Sequence, residues 1–93
     1  PLHVAIVERA VEQVAWCTGA AQRFLADAQA LGADLFISGE VSEQTWHEAR
    51  ELGIDYLAAG HHATERYGVQ ALGSHLARHF DLDHCFIDVP NPV

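Results

Sequence analysis

Short apolar runs rich in β-branched residues alternate along this chain with stretches whose apolar residues recur at helical spacing. The apolar runs predict five strands, at residues 2–7, 11–16, 34–38, 54–59 and 84–89. Strands that alternate with helices favour a mostly parallel sheet with helices packed on it. The expected fold class is therefore α/β, with about five strands in one sheet.

Three helices are predicted between and after these strands. The first covers residues 20–31 and is followed by Gly32, where a left-handed C-terminal cap is favourable. The second runs from a cap at Ser42 to about Leu52, and Gly53 closes it. The third follows the fourth strand and has an apolar face made of Val69, Leu72, Leu76 and Phe80. Each of the three is expected to pack against the sheet.

A short motif recurs after 21 residues in the middle of the chain, and we call this recurrence the 21-residue echo. The Gly-x-Asp element at 32–34 recurs at 53–55, and Gly39 recurs as Gly60. This interval equals one helix plus one strand, so it predicts two successive strand–helix units of similar geometry. The loops that follow the strands should then meet at the carboxyl edge of the sheet, where open α/β sheets bind ligands. The residues expected at that edge are Gly19, Gly39, Glu40, Gly60 and His61.

Composition excludes several classes of protein. The 93 residues carry 5 Lys+Arg and 13 Asp+Glu, for a formal net charge of −8, and all five cations are arginine. Such a chain has no basic stripe, so contact with nucleic acid or with acidic lipid is not expected through this segment. A hydrophobic content of 49% argues against disorder, and the apolar runs are too short to span a membrane.

The first residue bears on whether the sequence is part of a longer protein, and the cysteines bear on the cellular compartment. Position 1 is Pro, and no signal segment follows it, so we expect the sequence to begin partway through a longer protein. We expect residues 1–93 to form a single α/β domain. Cys17 and Cys85 form neither a Cys-x-x-Cys pair nor a disulfide framework. This favours reduced thiols in a cytoplasmic protein.

The clearest candidate for chemistry is the segment Gly-His-His-Ala-Thr-Glu-Arg at residues 60–66. Imidazole nitrogen and carboxylate oxygen are suitable ligands for zinc, iron or manganese. Glu65 follows His61 by four residues and His62 by three, so either histidine can share a helix face with it. An ordinary strand-to-helix turn with solvated polar residues is the alternative, because a complete metal site needs three or four ligands.

Other polar residues offer weaker candidates. Glu40 takes the position equivalent to His61 in the 21-residue echo. It can act as a partner to a metal ligand or as a proton acceptor, or it can simply complement a helix dipole. His75 and His79 are also four residues apart, but nothing acidic on that helix completes a site, so we interpret them as structural.

Four segments carry a resemblance to a known family. They are Val-Ala-Trp-Cys-Thr-Gly (14–19), Phe-Ile-Ser-Gly-Glu-Val-Ser-Glu-Gln-Thr (36–45), Ala-Ala-Gly-His-His-Ala-Thr-Glu-Arg (58–66) and Phe-Ile-Asp-Val-Pro-Asn-Pro-Val (86–93). In this order they closely resemble the C-terminal part of the GTP cyclohydrolase I type 2-like proteins, also called the Nif-three-like dinuclear-metal family.

The resemblance implies a site and an assembly. It implies an α/β fold, a cytoplasmic homo-oligomer that is typically a hexamer, and two divalent metal ions (zinc, iron or manganese). His61 and Glu65 match the family's metal ligands, and His62 matches a neighbouring position. The family's other ligands, a His-His pair and an Asp, lie in a part of the protein that precedes this sequence.

Two functions follow from the resemblance. The first is a metal-dependent hydrolase acting on a purine nucleotide such as GTP, with Glu40 as the local candidate for proton transfer. The alternative is a non-catalytic metal-binding assembly protein with a regulatory or repair role.

Overall fold

The computed structural model of the chain describes residues 1–4 and 9–93, and four strands in these ranges form one sheet. The strands are β1 (Leu2–Val4), β2 (Val14–Cys17), β3 (Leu35–Ser38) and β4 (Asp55–Ala58). Their order in the sheet is β1-β4-β3-β2. The pairs β2–β3 and β3–β4 are parallel, whereas β1 is antiparallel to β4. The predicted fold class, α/β with a mostly parallel sheet, is confirmed.

Three helices in the described part of the chain connect and follow these strands. They are α1 (Leu25–Ala30), α2 (Glu43–Leu52) and α3 (His61–Phe80). A 3₁₀ turn at Gln22–Phe24 precedes α1, so the first helix is shorter than the predicted 20–31. The reason is that the Ala21 N–H lies 3.2 Å from the Ser38 hydroxyl and 3.0 Å from the Gly19 carbonyl. These two bonds hold the preceding residues in a turn.

The second helix has the boundaries that its sequence predicts. The Ser42 N–H donates to the Thr45 hydroxyl at 3.2 Å, and the Thr45 N–H bonds back to Ser42, so the two residues form a capping box. At the other end Gly53 has a φ of +69° and its N–H bonds to the carbonyl of Ala49. A left-handed glycine of this kind ends a helix without steric cost.

The core lies between one face of the sheet and the helices α1 and α2. Val4, Tyr56 and Phe36 are neighbours in register on that face, and all three are buried. Leu25 of α1 and Ala49 of α2 pack against them with no exposed surface. Burial of apolar surface here, worth about 25 cal/mol for each Å², holds the helices to the sheet.

The third helix is placed differently from the prediction. None of the twenty residues of α3, all of which are described, is buried, and its predicted apolar face is exposed. The helix packs instead along the C-terminal segment, which we define as residues 82–93. A Cβ atom at Gly73 would collide with the imidazole of His84, so a side chain at this position would displace the imidazole from its place against α3.

The prediction of a fifth strand at residues 84–89 is wrong, because this part of the chain has no regular secondary structure. Contacts with α3 take the place of pairing with the sheet. Asp88 forms an ion pair with Arg66, and the ring of Phe86 lies beneath the same guanidinium. The His62 N–H also donates to the carbonyl of Val93 at 2.8 Å.

The first two predicted strands are present in part. Residues 2–4 of the predicted strand 2–7 form β1, and residues 5–7 lie outside the described residues. The second strand begins at residue 14, not 11, because the Asp34 carboxylate accepts the backbone N–H groups of Glu12 and Gln13 at 3.0 and 2.9 Å. No helix in the described ranges has the length and apolar character needed to cross a membrane.

Candidate functional site

The loops after three parallel strands meet at the carboxyl edge of the sheet, as the 21-residue echo predicts. The Gly39 N–H donates to the carbonyl of Gly19 at 3.0 Å, and the Gly60 N–H donates to that of Gly39 at 3.1 Å. The hydroxyl of Ser38 also donates to the Gly19 carbonyl, at 3.0 Å. These hydrogen bonds fix the three loops relative to one another, so side chains that leave them have defined positions.

The approach of the loops leaves no room for a side chain at Gly39. A Cβ atom there would lie 2.9 Å from the carbonyl oxygen of Gly19 and 2.9 Å from the Cα of His61. Both neighbours are backbone atoms and cannot rotate away. Glycine at position 39 therefore allows the start of α3 to come close to the first loop.

His61 lies between two carboxylates at this edge. It is the first residue of α3 and follows Gly60, whose φ of +99° turns the chain from β4 into the helix. Its Nδ1 lies 2.6 Å from Oε1 of Glu40, and its Nε2 lies 2.9 Å from Oε2 of Glu65. The structure thus brings together the three residues that the sequence predicts for the site.

A hydrogen bond from the core fixes the backbone of Glu40. The hydroxyl of Tyr56, a residue buried in the core, donates a hydrogen bond to the backbone carbonyl of Glu40. Burial raises the pKa of Tyr56, so its hydroxyl keeps the proton that it donates. This bond links the core to the loop that carries the carboxylate.

Charge in the site favours a proton or a cation on His61. The hydrogen bond with Glu40 raises the pKa of His61 above its ordinary value, and Glu65 acts in the same direction against partial desolvation. With both ring nitrogens protonated, each can donate to one carboxylate. A metal ion at Nε2 would replace the proton on that nitrogen, because only the neutral imidazole is a metal ligand.

The other histidines of α3 lie outside this arrangement. The side chain of His62 lines a cavity between α3 and the C-terminal segment, beside Arg66. The rings of His75 and His79 stack on one another with centroids 6.0 Å apart. His75 follows His61 by 14 residues, which corresponds to about 21 Å along a helix.

The site is incomplete as a metal centre within the described part of the chain. No three His, Cys, Asp or Glu side chains among residues 1–4 and 9–93 are arranged to hold a metal ion on their own. One ring nitrogen of His61 is already directed at Glu40, which leaves Nε2 and the Glu65 carboxylate as the two converging ligand groups.

Two residues beside the site were not identified from the sequence. Asp88 contacts Arg66 at 2.8 Å, and the Phe86 ring centroid lies 5.5 Å from the same guanidinium carbon. They are more than 19 residues from Arg66 along the chain, so no local spacing connects them. The C-terminal segment brings them to α3.

These features define an α/β protein with a histidine–carboxylate pair at the ligand-binding edge of its sheet. A family model described as Duf34/NIF3 (NGG1p interacting factor 3) matches residues 2–92. The chain belongs to this family, which confirms the resemblance seen in the sequence.

Relatives and solved structures show how much of such a protein the chain represents. A GTP cyclohydrolase 1 type 2 homolog of Allochromatium vinosum is 64% identical over 92 residues, which cover 99% of this chain and 36% of that protein. One of the same name from Escherichia coli K12 is 58% identical over 83 residues, covering 89% and 34%. The chain therefore spans about a third of the length of these relatives.

Solved structures give the same proportion. The chain superposes over its full length on a structure described as protein ybgI of unknown function, with a TM-score of 0.94, 53% identity and coverage of 38% of that chain. For the protein TTHA1606 from Thermus thermophilus the TM-score is 0.89 and the identity 35%, with 100% of this chain and 37% of that one covered.

Proposed function

We propose that His61 and Glu65 are metal ligands, and that the whole protein is a metal-dependent hydrolase acting on a purine nucleotide. One observation carries the first part of the proposal. Glu40 holds Nδ1 of His61, while Nε2 of the same ring converges with the Glu65 carboxylate at 2.9 Å. A carboxylate behind a ligating histidine is the usual arrangement that fixes the ring and its tautomer.

The donor set fits the metals that the family resemblance implies. Imidazole nitrogen with carboxylate oxygen suits zinc, iron or manganese. A catalytic zinc takes three protein ligands, and we propose two divalent ions, so His61 and Glu65 supply only part of the coordination. The remaining ligands must come from other parts of the protein.

The proposed chemistry makes His61 and Glu65 metal ligands and gives Glu40 a different role. When bound, the metal ions would supply a bound water of lowered pKa and polarise the bond under attack. Glu40 accepts the hydrogen bond from Nδ1 and keeps the proton on that nitrogen, which leaves the Nε2 lone pair for a metal. We therefore propose Glu40 as a positioning residue, in preference to direct proton transfer to substrate.

GTP turnover by the full-length protein tests the enzymatic part of the proposal. We expect turnover to stop when the metal is removed with a chelator and to return when zinc, iron or manganese is added. His61→Ala should abolish turnover, whereas His75→Ala, on the same helix but about 21 Å away, should not. Metal binding without turnover of GTP would reject the hydrolase and favour the non-catalytic assembly protein.

Assembly and location are proposed on the family resemblance. We propose that the whole protein forms a homo-oligomer, a hexamer, in the cytoplasm. The molar mass of the full-length protein measured by light scattering distinguishes a hexamer from smaller species.

A further inference from the structure

A cavity of about 430 Å³ lies between α3 and the C-terminal segment, beside the site. It begins at His61 and Glu65 and continues past Arg66 to Phe86 and Ile87. Its volume is within the range of small-molecule sites. A ligand in this cavity would lie directly beside the proposed metal ligands.

Arg66 is the arginine that lines this cavity in a chain of net charge −8; its charge is paired with Asp88, and the Glu65 carboxylate lies in the same lining. The other four arginines either contact other parts of the protein or lie far from the cavity. Arg9 bonds to the carbonyls of Asp34 and Gly53, whereas Arg23 and Arg50 lie over Phe24 and Trp46. Arg78 follows Arg66 by 12 residues, about 18 Å along the helix.

The guanidinium of Arg66 is held in place and keeps unused donors. Its Nη2 lies 2.8 Å from Oδ2 of Asp88, and its central carbon lies 5.5 Å from the ring centroid of Phe86. A guanidinium has five N–H donors in a planar fork, and within residues 1–4 and 9–93 that of Arg66 bonds to Asp88 alone, which leaves most of these donors for a ligand. Because two neighbours already fix the side chain, little further ordering is needed on binding.

We propose that this cavity binds a phosphoryl group of the substrate, with Arg66 as the residue that recognises it. The inference rests on the proposed function, because it places the phosphate beside the reacting part of a nucleotide. Arginine matches phosphate geometry through two parallel N–H···O bonds. Val69 and Phe86 supply the apolar surface on which the uncharged part of the ligand can pack.

Binding of guanosine 5′-monophosphate and of guanosine to the full-length, metal-depleted protein tests this assignment by calorimetry. These two probes differ only in the phosphate. We expect the wild type to bind the monophosphate about tenfold or more tightly than guanosine. Arg66→Ala should lose this preference, and Arg66→Lys should keep only a few-fold preference, because lysine has no planar fork. Arg78→Ala, a matched control at the far end of α3, should behave as wild type.

The outcomes separate this inference from the proposed function. A purely structural Arg66 would lower stability when changed and leave the preference for the monophosphate as it is, which would overturn the inference. Equal binding of both probes by the wild type would overturn it as well. If Arg66→Ala fails to fold, an Arg66→Lys protein that keeps the full preference for the monophosphate would overturn the inference. The metal content of the untreated protein is measured separately. If that measurement rejects the proposed metal site, the result on phosphate binding still stands.

Discussion

Gly39→Ala adds one methyl group where three loops meet, and the structure defines what that group would contact. The new Cβ would lie 2.9 Å from both the Gly19 carbonyl oxygen and the His61 Cα, and 3.3 Å from the Gly19 carbonyl carbon. All are backbone atoms, so relief requires movement of the first loop or of the start of α3.

The expected change in the free energy of unfolding combines two opposing effects. Overpacking of this kind costs about 1–3 kcal/mol. Replacing glycine with alanine restricts the unfolded chain, which offsets about 0.4–1 kcal/mol. At the midpoints of these ranges, we expect Gly39→Ala to lower the free energy of unfolding of the full-length protein by about 1.3 kcal/mol.

The matched control is Gly68→Ala, in the middle of α3, where a Cβ atom meets nothing within 4 Å. That change should raise the free energy of unfolding by about 0.5–1 kcal/mol, because alanine favours a helix over glycine. Urea unfolding of both variants measures the two effects. A Gly39→Ala protein as stable as wild type would refute the close approach of these loops.

Three further predictions concern the site and its support. Glu40→Gln should weaken metal binding by the full-length protein about 10–100-fold, because Glu40 orients His61. The control variant Glu43→Gln, on α2, should bind metal as the wild type does. Equal metal affinities of Glu40→Gln and wild type in calorimetry would refute the role of Glu40. The N–H groups of Gln13 and Glu12 lower the pKa of Asp34, so its stabilising effect is complete above its ordinary pKa of 3.8 and is lost as the pH falls through the lowered value. Urea unfolding of wild type and Asp34→Asn should thus differ most near neutral pH and converge in acid. The isolated 93-residue chain should hold metal weakly and turn over no GTP; two tightly bound ions per chain in calorimetry would show a self-sufficient site.

Local signals were sufficient to predict most of the fold. The Gly-x-Asp echo marks the start of two successive strand–helix units, β3–α2 and β4–α3, and its prediction that Gly19, Gly39 and Gly60 share one edge is confirmed by their hydrogen bonds. Ser42 and Gly53 mark both ends of α2 through backbone chemistry that acts within a few residues. Predictions of this kind depend only on near neighbours, so they can be made from sequence.

Elements whose structure depends on distant contacts were predicted less well. The apolar run at 84–89 has the composition of a strand, but Arg66 and His62 of α3 bond to its segment, so it follows the helix. The start of β2 depends on Asp34, which lies 22 and 21 residues along the chain from the Glu12 and Gln13 N–H groups that it binds. The pairing of His61 with Glu65 was predictable from helical spacing, whereas the contact of Glu40 with Nδ1 depends on how the two loops come together.

The most direct test of the central claim is the position of a metal ion in crystals of the full-length protein. Anomalous scattering from bound zinc or manganese locates the ion. We expect a peak about 2.0–2.2 Å from Nε2 of His61 and from a carboxylate oxygen of Glu65, with the Glu40 carboxylate still bonded to Nδ1. A peak on His62, or none between His61 and Glu65, would contradict it.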